Sequence, residues 1–449
     1  MDRRHLVSGP AGRGERRARW GLAALLVWTA CSDAPAPASV EQDAPVADAV
    51  AASAPVATLA LGYAPGPEPT ERMIARAQAA VRADPERVAA YDELAMLMMR
   101  RARETSNAVY RRYAEDALRA ARARDENDAQ TMILSALLLQ DQHRFAAAAE
   151  LARRYIAAAP DDSTGHIVLG DALLELGDYE PAMDSYQAAM NLRPDLRSYN
   201  RAAHMRWLQG DFDGAKQIME LAIDSGSMRD PEARAWCFVD LGAMYLHRGQ
   251  AQQAQSAAAR ALELVPDYLP AIVLDARALA RRGDRDAAIE RLAPAVDRHA
   301  TADELLRLAE WLHDAGRTDE SAARLAQAER LASAEPRPLA LYYARHGLVP
   351  QRALALAQAE LTARHDLAAH DVHGLALLRA GRPADALAAI DRALALGTKD
   401  ASLHLHAGLA AKAAGDPVRA RAELAAADAI DEGADALLRD ELRAALGET

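Results

Sequence analysis

Glycines return at a fixed interval through the second half of this chain, and that interval limits the fold more than any other feature. Gly249 to Gly283 is 34 residues and Gly283 to Gly316 is 33, while Gly347 to Gly381 and Gly381 to Gly415 are 34 each. Such a period marks a stack of similar supersecondary units rather than a domain around one core. Composition says which unit. Aromatics make up 4% of residues while the AVILMFWYC group reaches 51%, so the apolar content is mostly Ala and Leu. That is the content of closely packed helices, not of strands.

The clearest copy is 163–195, STGHIVLGDALLELGDYEPAMDSYQAAMNLRPD. With Ser163 as position 1, Leu169 and Gly170 fall at 7 and 8, Leu173 at 11, Ala182 at 20, Tyr186 at 24, Ala189 at 27 and Pro194 at 32. Gly170 and Ala182 are small where a first helix (A) and a second (B) cross closely. Gly177 sits where helix A ends, a place that favours the left-handed conformation. Tyr179 and Tyr186 fill the wedge between neighbouring pairs, and Pro194 closes the unit because it cannot continue a helix.

This pattern resembles the tetratricopeptide repeat (TPR), whose units carry W, L-G, Y, A, F, A and P at these places. It recurs in 235–267 (Leu241, Gly242, Tyr245, Gly249, Ala254, Ala261, Pro266), in 367–398 (Gly374, Leu377, Gly381, Ala386, Ala393) and in 401–431 (Gly408, Gly415, Ala420, Leu424, Ala427). Weaker copies lie between. Residues 88–127 carry an insertion, Arg101–Asn107; 129–161 put His143 where the turn glycine stands; 196–231 add a Gly-Ser loop; 269–300 and 302–334 lack the Leu-Gly pair; and 337–366 are truncated. About ten units span 86–431, with helices near 69–83 and 432–446 as the end caps that repeat arrays need. The resemblance implies an all-α, right-handed superhelical solenoid of antiparallel helix pairs over residues 69–449.

The first residues have another character. Arg3, Arg4, Arg13, Arg16, Arg17 and Arg19 precede a short apolar run, Gly21–Ala30, which ends at Cys31. A basic head, an apolar stretch of about ten residues and small residues before a cut site describe a secretory signal over 1–30, too short to span a bilayer. Thr29-Ala30-Cys31 resembles the lipobox of bacterial lipoproteins, in which the cysteine is lipidated and becomes the mature N-terminus; Trp28 stands where that family usually has Leu. The resemblance implies a lipid anchor at Cys31 and a location on the outer membrane, facing the periplasm. Residues 31–68, rich in Ala, Pro, Val, Asp and Glu, have no helical apolar stripe and read as a disordered tether.

A TPR stack turns every helix A toward one concave face, suited to a peptide or partner helix. The resemblance therefore implies protein binding without catalysis, with groove positions filled by Asn200, Arg201, His204, Trp207, Asp240, His247, Arg277, Arg281, Arg307 and Glu310. Asn200 and Arg201 sit where carboxylate-clamp TPRs grip a C-terminal carboxylate, a task that suits the forked donors of arginine. Asp171, Glu175 and Asp240 lie nearby and oppose a purely anionic ligand. Trp207 is the expected aromatic anchor.

Other chemistry is weakly supported. His365, His370, His373, His404 and His406 suggest a periplasmic metal-binding protein as the alternative, because imidazoles stacked one repeat apart could hold Zn²⁺ or Cu²⁺. Yet His370, His404 and His166 fall at position 4, where the family packs an aromatic ring. Cys237, between Trp236 and Phe238, reads as a half-buried inert thiol. There is no phosphate loop, HExxH or nucleophile elbow, so neither enzyme nor cofactor is expected. The formal net charge is −12; the first thirty residues hold six arginines against Asp2 and Glu15, a local +4, so −12 − 4 leaves −16 for the rest. A chain so acidic, without a basic stripe, is not expected to bind nucleic acid.

Overall fold

The computed structural model describes residues 57–447, apart from 106, 108, 299–300, 332–335 and 431–435. The signal segment, Cys31 and the tether up to residue 56 lie outside the described residues. Among the described residues every regular element is an α-helix. A short α1 (Thr58–Gly62) and α2 (Pro69–Ala83) come first. Ten antiparallel pairs follow: α3 (Val88–Thr105) with α4 (Val109–Arg122), α5 (Ala129–Asp141) with α6 (Phe145–Ala158), and α7 (Ser163–Glu175) with α8 (Tyr179–Leu192). Next are α9 (Leu196–Leu208) with α10 (Phe212–Ser225), α11 (Pro231–His247) with α12 (Ala251–Leu264), and α13 (Leu269–Arg281) with α14 (Arg285–Arg298). The last four pair α15 (Ala302–Asp314) with α16 (Thr318–Leu331), α17 (Pro336–Arg345) with α18 (Pro350–Glu360), α19 (Leu367–Arg379) with α20 (Pro383–Ala393), and α21 (Ala401–Ala414) with α22 (Pro417–Ile430). The final helix, α23 (Ala436–Leu446), packs on the last pair.

Local chemistry sets these boundaries. Asp128, Asp162, Asp195, Asp366 and Asp400 stand at N-caps, each accepting hydrogen bonds from backbone N–H groups in the first turn of the helix it precedes. Part of the chain's acidity is thus helix capping. Each A helix from α5 to α21 ends in a left-handed residue: Gly177 has φ 78°, and His143 takes φ 58° at the equivalent turn without glycine. At the crossing, a Cβ built on Gly170 would lie 2.4 Å from the Tyr186 ring, so the two helices approach as closely as the sequence demands. The insertion at Arg101–Asn107 is absorbed largely as helix, since α3 runs on to Thr105.

Two features depart from the sequence expectation. The described fold reaches back from Pro69 to Ala57, its first described residue, into a stretch read as tether. Ala57 and Ala60 are fully buried, and the buried Asp116 of α4 accepts hydrogen bonds from the N–H groups of Leu59 (2.9 Å) and Ala60 (3.1 Å). The Gln78 amide donates to the carbonyls of Ala60 (2.8 Å) and Tyr63 (2.9 Å). Second, the superhelix meets itself. The turn between α7 and α8 touches the linker between α18 and α19: His365 N–H donates to the Glu175 carbonyl (2.8 Å), and Arg364 pairs with the Glu175 carboxylate (2.7 Å). The turn after α9 meets the linker before α21, where the Thr398 hydroxyl donates to the Leu208 carbonyl and a Cβ on Gly210 would lie 2.8 Å from the Gly397 oxygen. His247 Nδ1 lies 2.9 Å from Asp400.

Candidate partner-binding cavity

The A helices α5, α7, α9 and α11 share one face, and on it lies a cavity of about 520 Å³. Asp171 and Glu175 come from α7, Asn200, Arg201 and His204 from α9, and Trp236 and Asp240 from α11; Arg111 and Arg364 stand at its edges. Successive A helices present the same positions to this face because the pairs repeat in register.

Four of the expected groove residues meet here. Arg201 is already engaged: its Nε and Nη2 donate to Asp171 at 3.0 and 2.9 Å, and its Nη1 donates to the Asn200 side-chain oxygen at 2.9 Å. The charge of Asp171 holds the guanidinium pKa well above its ordinary value. An arginine so occupied has no open fork for a terminal carboxylate, which favours the solvated, self-paired face over a clamp. Asn200 also donates to Asp240 (2.7 Å). Burial pushes the Asp240 carboxyl up to about 6 and the His204 imidazole down to about 4, so His204 is neutral at pH 7.

The other expected residues lie elsewhere. Trp207 is half-buried, its ring 5.7 Å from that of His204 and 5.1 Å from that of His247, and it packs against the cores of two neighbouring repeats. It is a wedge, not an open anchor. His247 is taken by Asp400, and Asp400 shows the result: burial alone would raise its pKa, but the histidine holds it below the usual carboxylate range. Arg307 pairs with Asp303 (2.9 Å), Arg281 donates to the Leu246 carbonyl (3.2 Å), and Arg277 acts on Asp303 electrostatically. Glu310 faces Arg345 at 3.8 Å. The residue that sequence reasoning passed over is Trp236, 43% exposed at the cavity. The loop Ser225–Ser227 and the early start of α11 at Pro231 place it a full turn inside the helix, a length that the repeat register did not reveal.

The C-terminal histidines do not converge. His404 binds Glu423 (2.8 Å), the buried His406 binds Asp371 (2.8 Å), and His370 is buried with its ring 6.3 Å from that of His365. Among the described residues no three of His, Cys, Asp or Glu gather as a ligand set. His404 is used within its own pair and His406 against the preceding one. Cys237 is fully buried beside Asn200, and burial pushes its thiol up to about 12, which leaves it protonated and inert.

Stacked pairs that expose one row of helices to a shared cavity define a helical-repeat scaffold, the class of protein that binds along an extended face. Its units are tetratricopeptide repeats: profiles described as Tetratricopeptide repeat match residues 133–196 and 372–435, and a second such profile matches 196–225. Those segments of the chain are tetratricopeptide repeats. No curated protein matches it. Solved structures of similar fold include Pseudomonas aeruginosa pilF, at 20% identity over 46% of this chain and 93% of that one with a TM-score of 0.38. Human IFIT1 aligns at 12% identity over 81% of this chain and 95% of its own, with a TM-score of 0.46. YrrB, described as a TPR protein with an unusual peptide-binding site, aligns at 20% identity over 42% and 94%, with a TM-score of 0.29.

Proposed function

We propose that this chain is a non-enzymatic scaffold of the bacterial cell envelope that holds a partner protein by an extended segment laid along the A helices. The observation that carries this reading is the cavity itself, where the exposed Trp236 indole stands among side chains from successive A helices. Those side chains are already fixed by one another, so a partner need not order them on binding. A rigid aromatic in such a setting is the usual anchor of a protein interface. The test places a photo-crosslinking amino acid at position 236 or 204 in cells, and at the exposed Leu221 of α10 as a control. One protein should be captured from 236 and 204 and not from 221. Capture from 221 alone, or equally from all three, would show that the groove is not the binding face.

The location rests on the N-terminal sequence: a basic head, a short apolar run and Thr29-Ala30-Cys31. No described helix is long and apolar enough to cross a membrane, so attachment in this reading falls to the lipid on Cys31. Cys31→Ser should move the protein from the membrane pellet to the soluble fraction; a variant that still pellets removes the anchor from the proposal.

A further inference from the structure

We propose that the cavity receives a cationic side chain of the partner, a lysine or arginine, seated beside the Asp240 carboxylate and against the Trp236 indole. The inference rests on the groove-binding reading above and adds the chemistry of what enters. Charge within the cavity is uneven. Arg111, Arg201 and Arg364 face Asp141, Asp171, Glu175 and Asp240, three cations against four carboxylates. The cations are matched with the first three: Arg111 with Asp141, Arg201 with Asp171 and Arg364 with Glu175. Among the described residues Asp240 has no ion pair of its own: the neutral Asn200 amide donates to it at 2.7 Å, and Arg201, bonded to Asp171, reaches it only as a charge through space.

One turn before Asp240 on α11, Trp236 lines the same cavity and remains 43% exposed, so part of the indole is open to water beside a carboxylate that no cation pairs directly. A cation there gains both the charge of Asp240 and the negative face of the ring, which in indole is the strongest of the aromatic side chains. Burial pushes the Asp240 carboxyl up to about 6, and the Asn200 amide and the more distant charge of Arg201 offset that only in part. An anionic ligand meets the opposite situation. It would have to displace Asp171 from Arg201, leaving that carboxylate without its partner. The cavity volume of about 520 Å³ admits a long side chain together with a stretch of its backbone.

The experiment uses the full chain labelled with 5-fluorotryptophan, the Trp236 signal being assigned by its loss in Trp236→Phe. Blocked pentapeptides that differ only in a central Lys, Arg, norleucine or Glu are titrated by fluorine NMR. The Lys and Arg peptides should shift the Trp236 signal to saturation, the norleucine and Glu peptides should bind at least tenfold more weakly, and Asp240→Asn should weaken the Lys peptide at least tenfold. Trp236→Leu, at an exposed position, is the second variant and should weaken it as well, read by calorimetry. Equal binding of norleucine, or tighter binding of Glu, overturns the cationic preference and leaves groove binding standing. Spermidine, a cation without a peptide backbone, bound as tightly as the Lys peptide overturns a peptide occupant. A Trp236 signal that no peptide moves overturns both the preference and this cavity as the peptide site.

Discussion

At Gly374 the backbone of α19 runs so close to α20 that a Cβ would stand 2.4 Å from Ile390 Cγ1 and 3.2 Å from the Ala386 carbonyl oxygen. Ile390 is fully buried and cannot swing away. Gly374→Ala should therefore cost about 1–3 kcal/mol as overpacking, and Ile390→Ala alone about 2–5 kcal/mol as a cavity. Made together they should cost less than their sum, because each relieves the defect of the other; a double-mutant cycle in urea that comes out additive would show that this contact is not why the position holds glycine. Gly408 against Leu424 and Gly170 against Tyr186 pose the same problem in their own repeats. These positions were legible in the sequence because glycine and its obstacle belong to one unit at fixed spacing. Arg201 was legible as a groove residue, but its engagement by Asp171 on the preceding A helix depends on how repeats stack. Trp207 and Trp236 exchanged roles for a similar reason: which aromatic is exposed depends on the length of α11, and the motif does not fix that length.

Among the elements, α1 has the least support of its own. Five residues make too few hydrogen bonds to offset their ordering, so the helix exists only because α4 and α2 hold it. Asp116 supplies the cap from a distant helix, where a local N-cap residue would ordinarily stand. Asp116→Ala should remove about 1 kcal/mol or more from that docking, so the amides of Leu59, Ala60 and Leu61 should exchange several-fold faster with solvent. The ten pairs should keep their protection, since in a repeat array stability is a sum of local and nearest-neighbour terms. Unchanged exchange at 59–61 would mean that Gln78 and the burial of Ala57 and Ala60 suffice without the cap. The Ala- and Pro-rich composition gave no sign of this docking, because the groups that hold the segment lie in helices far along the chain.

For the whole molecule, the contacts between distant repeats change what kind of folding unit it is. An open solenoid is quasi-one-dimensional, so a defect in one pair is felt by its neighbours and fades beyond them. Here the third, fourth and fifth pairs also touch the linkers around the ninth, through Glu175 with Arg364 and His365, Leu208 with Thr398, and His247 with Asp400. A destabilising change in the ninth pair has two routes outward, one along the stack and one across these contacts. Ile390→Ala should therefore raise exchange not only in the pairs containing α18 and α21 but also at the turn of α7, where the Gly177 and Asp178 amides are bonded to Leu174 and Leu173. The combined variant His247→Ala, Arg364→Ala and Thr398→Val leaves the helices and their caps in place while cutting side-chain links across the closure. In that background Ile390→Ala should no longer reach the α7 turn, and small-angle scattering should show a larger radius of gyration. If Ile390→Ala never affects the α7 turn, or affects it equally when the links are cut, these contacts touch without carrying load, and the molecule unfolds as an ordinary linear array.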